Sequence, residues 1–407
     1  MICYICNFQE WCTHLHMYSL KYKEIEYLHH YLSLLNNDVN NDLLILINVI
    51  TSYSKVVTDI KKQITTYHNI NCSTCSHCTQ FITNEIKTKT GYIDVIPEDI
   101  NYIPAITYLA GISTEQYIGL NKLSKCTNEI RDIYNMIAMD DIKSEFCKVL
   151  KYLSMAKSDG KMLHIGIYGP PGHGKTHIAQ LLGKAFVKSG LLENDVFIKG
   201  TRNNMIGGYC GQTAMKTTSI FDEAQGGVLF LDEVYSFGNK EQDDVFTGEC
   251  INTINQLLSE RPDTLCIIAG YYKQTQESFF SYNPGLISRF PFSFHIKPYN
   301  AENLIQIFSK MANESGWKIT NNGLVGDDLR PYVTSGQINN GGRDMEHILT
   351  KSIISHCQNN FLTNDSKQKV LSRIDIIDGL KNYILHKSGP KEKTPTPPPS
   401  PPHGMYT

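Results

Sequence analysis

The stretch His164-Ile-Gly-Ile-Tyr-Gly169-Pro-Pro-Gly-His-Gly174-Lys175-Thr176-His-Ile178 decides how the rest of the chain is read. An apolar run, His164 to Tyr168, leads into G-x-x-x-x-G-K-[ST], and residues Ile178 to Val187 then repeat at helical spacing. Strand, glycine loop and helix in this order make a phosphate cradle. The glycines let backbone N–H groups wrap phosphates without a Cβ in the way, Lys175 reaches the β and γ phosphates, and Thr176 offers its hydroxyl to Mg²⁺. The helix adds the positive end of its dipole. Gly169, Pro170, Pro171, Gly172, His173, Gly174, Lys175 and Thr176 are therefore the expected ATP contacts.

A second apolar run, Gly227-Val-Leu-Phe-Leu-Asp232-Glu233, ends in two carboxylates. Asp232 suits Mg²⁺ held through water, because that ion keeps part of its hydration shell. Glu233 suits the base that orients and deprotonates the attacking water.

The chain around these motifs divides by pattern. In residues 1–80, Tyr18, Ile25, Leu28, Leu32 and Leu35 recur at helical spacing, and polar Asn36 to Asn41 interrupts them. Leu46, Ile50, Tyr53, Val57, Ile60, Ile64 and Tyr67 then alternate steps of four and three, a heptad seam. Two such helices joined by a short turn predict an antiparallel hairpin. Residues 81–128, punctuated by Gly91, Pro97 and Pro104, are expected to be an irregular connection. Short apolar runs alternating with helices over 129–298, among them Leu265 to Ala269, predict a parallel α/β sheet. Residues 299–388 read as helices alone, and the Pro-rich 389–407 as an extended, disordered tail.

Composition narrows the class. The 407 residues carry 41% hydrophobic and 19% charged side chains and a formal charge of -2, so no global basic field points to nucleic acid. No apolar run is long enough to span a bilayer, and the N-terminus lacks a signal-peptide pattern. An intracellular soluble protein is expected, with its 12 cysteines mostly reduced. Abundant Asn, Ile, Lys and Tyr is what an AT-rich genome, of a cell or a large DNA virus, produces.

Further stretches carry a resemblance. Ile206-Gly-Gly-Tyr209-Cys-Gly-Gln-Thr-Ala-Met-Lys-Thr217, Gly226 to Tyr235, Ala269-Gly-Tyr271 and Asn283-Pro-Gly-Leu-Ile-Ser-Arg289-Phe290 are similar to AAA+ ATPases of the stage V sporulation protein K and red-type rubisco activase (CbbX-like) subfamily. The resemblance covers about residues 130 to 360, with Met136-Ile137 and Asp140 to Lys143 at its start, and leaves out the first hundred residues and the tail. It implies a P-loop AAA+ parallel-sheet domain with a C-terminal helical lid, to which the N-terminal helical hairpin is added. It also implies a homo-oligomeric ring, a hexamer, with ATP between protomers and a protein client.

Residue by residue, the resemblance makes Arg289 the arginine finger reaching the neighbouring subunit's γ-phosphate. Relatives carry a second Arg two places earlier, where this chain has Ile287. Arg343, in Asn340-Gly-Gly-Arg-Asp-Met-Glu346, matches the arginine of the lid that sits over the phosphates. Tyr209 matches the aromatic pore loop that grips an extended chain. The residue sensing the γ-phosphate from the fourth strand stays open: relatives place Asn or Thr there, and this chain offers Gly270-Tyr271. His173 stands where relatives carry Thr or Ser and reads as a loop residue. A nucleic-acid motor and a nucleotide-switched scaffold are the alternative functions; no basic run supports the first, and the intact Glu233 argues against the second.

Cys3-x-x-Cys6 and Cys72-x-x-Cys75 flank the expected hairpin, whose ends meet. Four thiolates from two such hooks could close a tetrahedral zinc site. Cys12, Cys78, His68 and His77 are also at hand, and plain packing of small cysteines is the other reading.

Overall fold

Strands buried on both faces need no polar alternation, and three short apolar runs of this chain form the middle of a parallel sheet. In the computed structural model, β1 (Ile165–Tyr168), β2 (Phe197–Gly200), β3 (Val228–Leu231), β4 (Leu265–Gly270) and β5 (Phe292–His295) lie in the order β2-β3-β4-β1-β5. Every pairing is parallel, with Tyr168 opposite Gly270 and Leu231 opposite Ile268. The central strands β1, β3 and β4 are buried throughout. The edge strands β2 and β5 are partly exposed, and Lys199, Ser293 and His295 interrupt their apolar pattern. The structure describes residues 22–36, 43–71, 112–155, 164–209, 211–238, 245–320, 323–324, 326–360 and 369–388.

Contacts divide the chain at Lys297/Pro298 into two units, with Pro171–His173 grouped with the second. In the first unit, α1 (Tyr22–Asn36) packs on α2 (Leu43–Asn71), burying Leu28 and Leu32 with Leu46, Ile50, Tyr53 and Val57. These four residues of α2 are the first part of the heptad seam. α2 also meets α3 (Thr114–Lys125), α4 (Thr127–Tyr134) and α5 (Asp140–Met155).

Residues 112–128 thus differ from the expected irregular connection: they are largely helical. Ser113 and Gln116 form a reciprocal capping box at the start of α3, with Gln116 N–H donating to Ser113 Oγ (3.1 Å) and Ser113 N–H to Gln116 Oε1 (2.8 Å). That S-x-x-Q signal stands in the sequence, downstream of the prolines on which the irregular reading rests.

The nucleotide-loop helix α6 (Lys175–Lys188), α7 (Gln212–Glu223) and α8 (Val245–Glu260) complete the first unit's long helices. α4 is fastened to α6 by the Lys188–Glu129 ion pair (2.5 Å) and by Cys126 Sγ donating to the Ala185 carbonyl (3.2 Å). Burial pushes the Cys126 thiol up to about 12, so it stays protonated as a weak donor. The candidate zinc ligands Cys3, Cys6, Cys72 and Cys75, and the tail, lie outside the described residues.

The second unit holds α9 (Ala301–Glu314), α10 (Gly326–Thr334), α11 (Gly342–Asn359) and α12 (Arg373–Ser388) around Leu304, Phe308, Leu329, Met345, Ile348 and Leu380. It is not helical alone. Lys318–Ile319 and Val370–Leu371 pair as parallel strands β6 and β7, each too short to leave a periodicity in sequence.

Its polar hub is Asp344, 1% exposed. Its carboxylate accepts from the N–H groups of Asn339 and Asn340 (both 2.8 Å), from Asn340 Nδ2 (3.1 Å) and from Tyr383 OH (2.5 Å), and pairs with Lys387. Burial alone would raise its pKa; the bonds from Tyr383, Asn340 and Asn339 hold it below the usual carboxylate range.

Asp344→Ala should therefore lower stability by about 1–3 kcal/mol for each buried donor it strands, measured by thermal unfolding. Because the folded pKa is depressed, this contribution is complete above the unfolded value of roughly 3.9. It disappears as pH falls through the folded value. An Asp344→Ala protein that melts like the wild type at pH 7 would refute the hub.

Candidate active site

Three strand ends meet at the carboxyl edge of the sheet. β4 lies between β1 and β3, so Tyr271 follows a strand flanked by the one before Gly169 and the one before Asp232. The Gly270 carbonyl accepts the Gly169 N–H (3.1 Å), joining the loop to β4 at its first residue.

The loop geometry requires glycine at two places. Gly172 and Gly174 have φ of +69° and +82°. A Cβ at Gly172 would also lie 1.9 Å from the Asn340 carbonyl oxygen. Gly174 is the N-cap of α6 and supplies no side-chain cap, so the first-turn N–H groups face a ligand site without a competing side chain. Lys175 Nζ donates to the carbonyls of Gly169 (2.9 Å) and Pro170 (2.8 Å) and lies 5.9 Å from the Tyr271 ring centroid. Thr176 is half-buried on the same turn. Open backbone N–H groups, a lysine and a hydroxyl fit a nucleotide's phosphates, and the oxygens of Thr176 and Asp232 are of the type Mg²⁺ takes.

Pro171–His173 group with the second unit. There the buried His173 ring stacks on Tyr299 (centroids 4.6 Å apart, planes at 14°), and Gly172 O accepts the Gly342 N–H (2.9 Å). His173 is a packed residue, which its place in the loop did not reveal. Arg343, exposed, is the second residue of α11 and follows this Gly342.

After β3, Asp232 Oδ1 accepts the Glu233 N–H (3.0 Å), and its Oδ2 pairs with Lys199 of β2 (2.7 Å). Glu233 has φ 51° and ψ 44°, left-handed backbone that a side chain disfavours by about 1–2 kcal/mol. It turns the chain into the short helix Val234–Ser236, which carries Tyr235. Neither Lys199 nor Tyr235 was singled out from sequence; only their places at strand ends could have marked them.

Arg289 ends the turn Pro284–Arg289, where its Nε donates to Asn255 Oδ1 of α8 (2.8 Å) and its carbonyl accepts the His164 N–H (3.2 Å). Burial lowers His164 to about 4, so its ring is neutral; its Nδ1 accepts the Cys266 N–H. Ile287, where relatives carry a second arginine, is exposed.

Tyr209 is 74% exposed on a segment whose stem is fixed: Gly207 N–H donates to Thr213 Oγ1 (3.1 Å) and Thr217 Oγ1 to the Met205 carbonyl (3.2 Å). A cavity of about 130 Å³ lies beside the loop, lined by Ala138 to Ile142 and His295 to Lys297. Ile296 of that lining is the residue a Cβ at Gly169 would strike, at 2.7 Å. No group of three or more His, Cys, Asp or Glu side chains among the described residues could hold a metal by itself.

This sheet order, with a glycine loop after β1 and a carboxylate pair after β3, defines a P-loop ATPase of the AAA+ class. The ATPase family associated with various cellular activities (AAA) matches residues 165–297. A cfxQ-like protein of Acanthamoeba polyphaga mimivirus is 34% identical over 66% of this chain and 67% of its own length. Stage V sporulation protein K of Bacillus subtilis is 29% identical over 58% of this chain and 71% of its own. The chloroplastic ribulose bisphosphate carboxylase/oxygenase activase of Cyanidioschyzon merolae is 30% identical over 50% and 66%. The chain belongs to the AAA+ ATPases, in the CbbX-like subfamily of CfxQ and stage V sporulation protein K, and is an ATP-hydrolysing enzyme. No helix among the described residues is long and apolar enough to cross a membrane.

The left-handed backbone at Glu233 makes a stability prediction. Glu233→Gly should melt higher than Glu233→Ala, by about 1 kcal/mol in unfolding free energy, although both lack the carboxylate. Equal stability of the two variants in denaturant titration would remove the strain argument.

Proposed function

We propose that the chain works as a homo-oligomeric ring, a hexamer, that uses ATP hydrolysis to remodel a protein client. The observation that carries this reading is Tyr209: a large ring exposed between glycines on a stem tied to α7. An aromatic face grips polypeptide by apolar and π contact and is indifferent to sequence. The activase named above acts on an enzyme, which supports a protein as client here.

In this reading the N–H groups of residues 169–176 and Lys175 bind the phosphates, and the cavity at Ala138 and Ile296 takes the base. Mg²⁺, when bound by Thr176 and through water by Asp232, supplies positive charge to the phosphate oxygens. The Glu233 carboxylate orients water and takes its proton as the γ-phosphoryl group leaves ADP. Arg289 adds charge to the site of the next protomer, and Arg343 links the second unit to nucleotide state. Its tether to Asn255 gives Arg289 a fixed starting position. Zinc at Cys3, Cys6, Cys72 and Cys75 remains a separate proposal for the N-terminal region.

Lys175→Ala should abolish nucleotide binding, while Glu233→Gln should bind ATP and lose turnover at least about a hundredfold. Tyr209→Ala should hydrolyse ATP at the basal rate but lose the stimulation that excess unfolded polypeptide gives the wild type. Full stimulation in that variant would make Tyr209 a packing residue, and stimulation by single-stranded DNA in its place would favour a nucleic-acid motor. Arg289→Ala subunits should recover turnover when mixed with Lys175→Ala subunits; no recovery in co-assembled protein would exclude a shared site.

A further inference from the structure

Two phenols stand between the lysine of the glycine loop and the glutamate after β3. Tyr271 leaves the end of β4, and its ring lies 5.9 Å from Lys175 Nζ. The Tyr235 ring lies 5.4 Å from the Tyr271 ring, at 51°. Gly270 makes room for this pair: a Cβ there would come within 3.2 Å of Tyr235 Cδ1 and 2.7 Å of Thr275 Oγ1. The same Gly270 holds the first residue of the loop through its carbonyl.

Tyr235 is placed by the backbone of Glu233. The left-handed turn at Glu233 is closed by Ser236 N–H donating to the Glu233 carbonyl (2.7 Å), and Tyr235 sits inside that turn. Burial raises the phenol's pKa, and the Glu233 carboxylate and Tyr271 beside it add to the rise. A phenol is protonated at neutral pH in any case, and this one shares a side-chain hydrogen bond with the Glu233 carboxylate.

We propose that Tyr271 and Tyr235 are positioning residues for the ATPase reaction: the Tyr271 ring sets the Lys175 ammonium, and the Tyr235 hydroxyl sets the Glu233 carboxylate. A ring face attracts a cation through its quadrupole, so the Tyr271 ring helps to place the Lys175 ammonium. The hydroxyl fixes one carboxylate oxygen and leaves the other for water. Tyr271 buttresses both, which ties the orientation of the base to the position of the lysine.

The inference rests on the assignment of Lys175 and Glu233 given above, and the test separates the two. Steady-state ATPase kinetics and nucleotide affinity are measured on the full chain, with melting temperature as a control for folding. Tyr235→Phe keeps the ring and removes the hydroxyl; it should lower kcat on the order of ten- to a hundredfold, as a misplaced reacting group does, with KM unchanged. Tyr271→Phe should retain most of the activity that Tyr271→Ala loses, because the ring is the part that holds Lys175. Tyr271→Ala should lose both kcat and nucleotide affinity. If Glu233→Gln turns over normally, the assignment of the base is wrong. If Glu233→Gln is inactive while Tyr235→Phe keeps its kcat, or if Tyr271→Phe is as impaired as Tyr271→Ala, the positioning proposal alone is overturned.

Discussion

The pairing of β4 between β1 and β3 is the constraint on which the rest of this molecule depends. Residues far apart in sequence, Lys175, Glu233 and Tyr271, reach one edge because three buried strands run parallel and end at nearly the same level. Parallel strands need crossovers, and helices α6, α7 and α8 supply them while covering the sheet. The burial of β1, β3 and β4 is what holds the level. A one-residue slip of β4 would move Gly270 away from Gly169 and set a side chain where the Tyr235 ring lies. The geometry of the candidate site and the sheet register are thus the same fact.

Around that edge the chain accepts local cost. Glu233 occupies backbone that glycine would take more readily, and the compensation is the Asp232 side-chain bond to its N–H and the short helix that follows. The glycine loop solves the opposite problem: it needs positive φ with backbone N–H groups exposed, and at Gly172 it needs room against Asn340 as well. The second unit is organised differently, around a buried carboxylate in place of a sheet edge. Asp344 collects four hydrogen-bond donors and a lysine, and so fixes the start of α11, where Arg343 sits. The backbone position of that arginine thus depends on the residue next to it.

The N-terminal helices are built into the ATPase unit and not merely appended. α2 packs on α3, α4 and α5, and α4 is fastened to the far end of α6 by Glu129–Lys188 and Cys126–Ala185. α6 begins at Lys175.

The sequence by itself determined the glycine loop, the carboxylate pair, the central strands and the helical character of residues 22–36 and 43–71. In each case the physical requirement is local: positive φ needs glycine, a strand buried on both faces needs an unbroken apolar run, and a packed helix needs its stripe. It did not determine the edge strands, whose Lys199 and His295 break the apolar run because one side meets solvent, nor β6 and β7, which are two residues each. Helix α3 was legible in its Ser113–Gln116 box, downstream of the prolines on which the irregular reading rests. Tyr235, Tyr271 and Asp344 lie in recognisable stretches and Lys199 in none, but no stretch says what their side chains meet. Their neighbours come from other strands and helices, and only the tertiary structure decides what a side chain meets across a sheet or a helix pair.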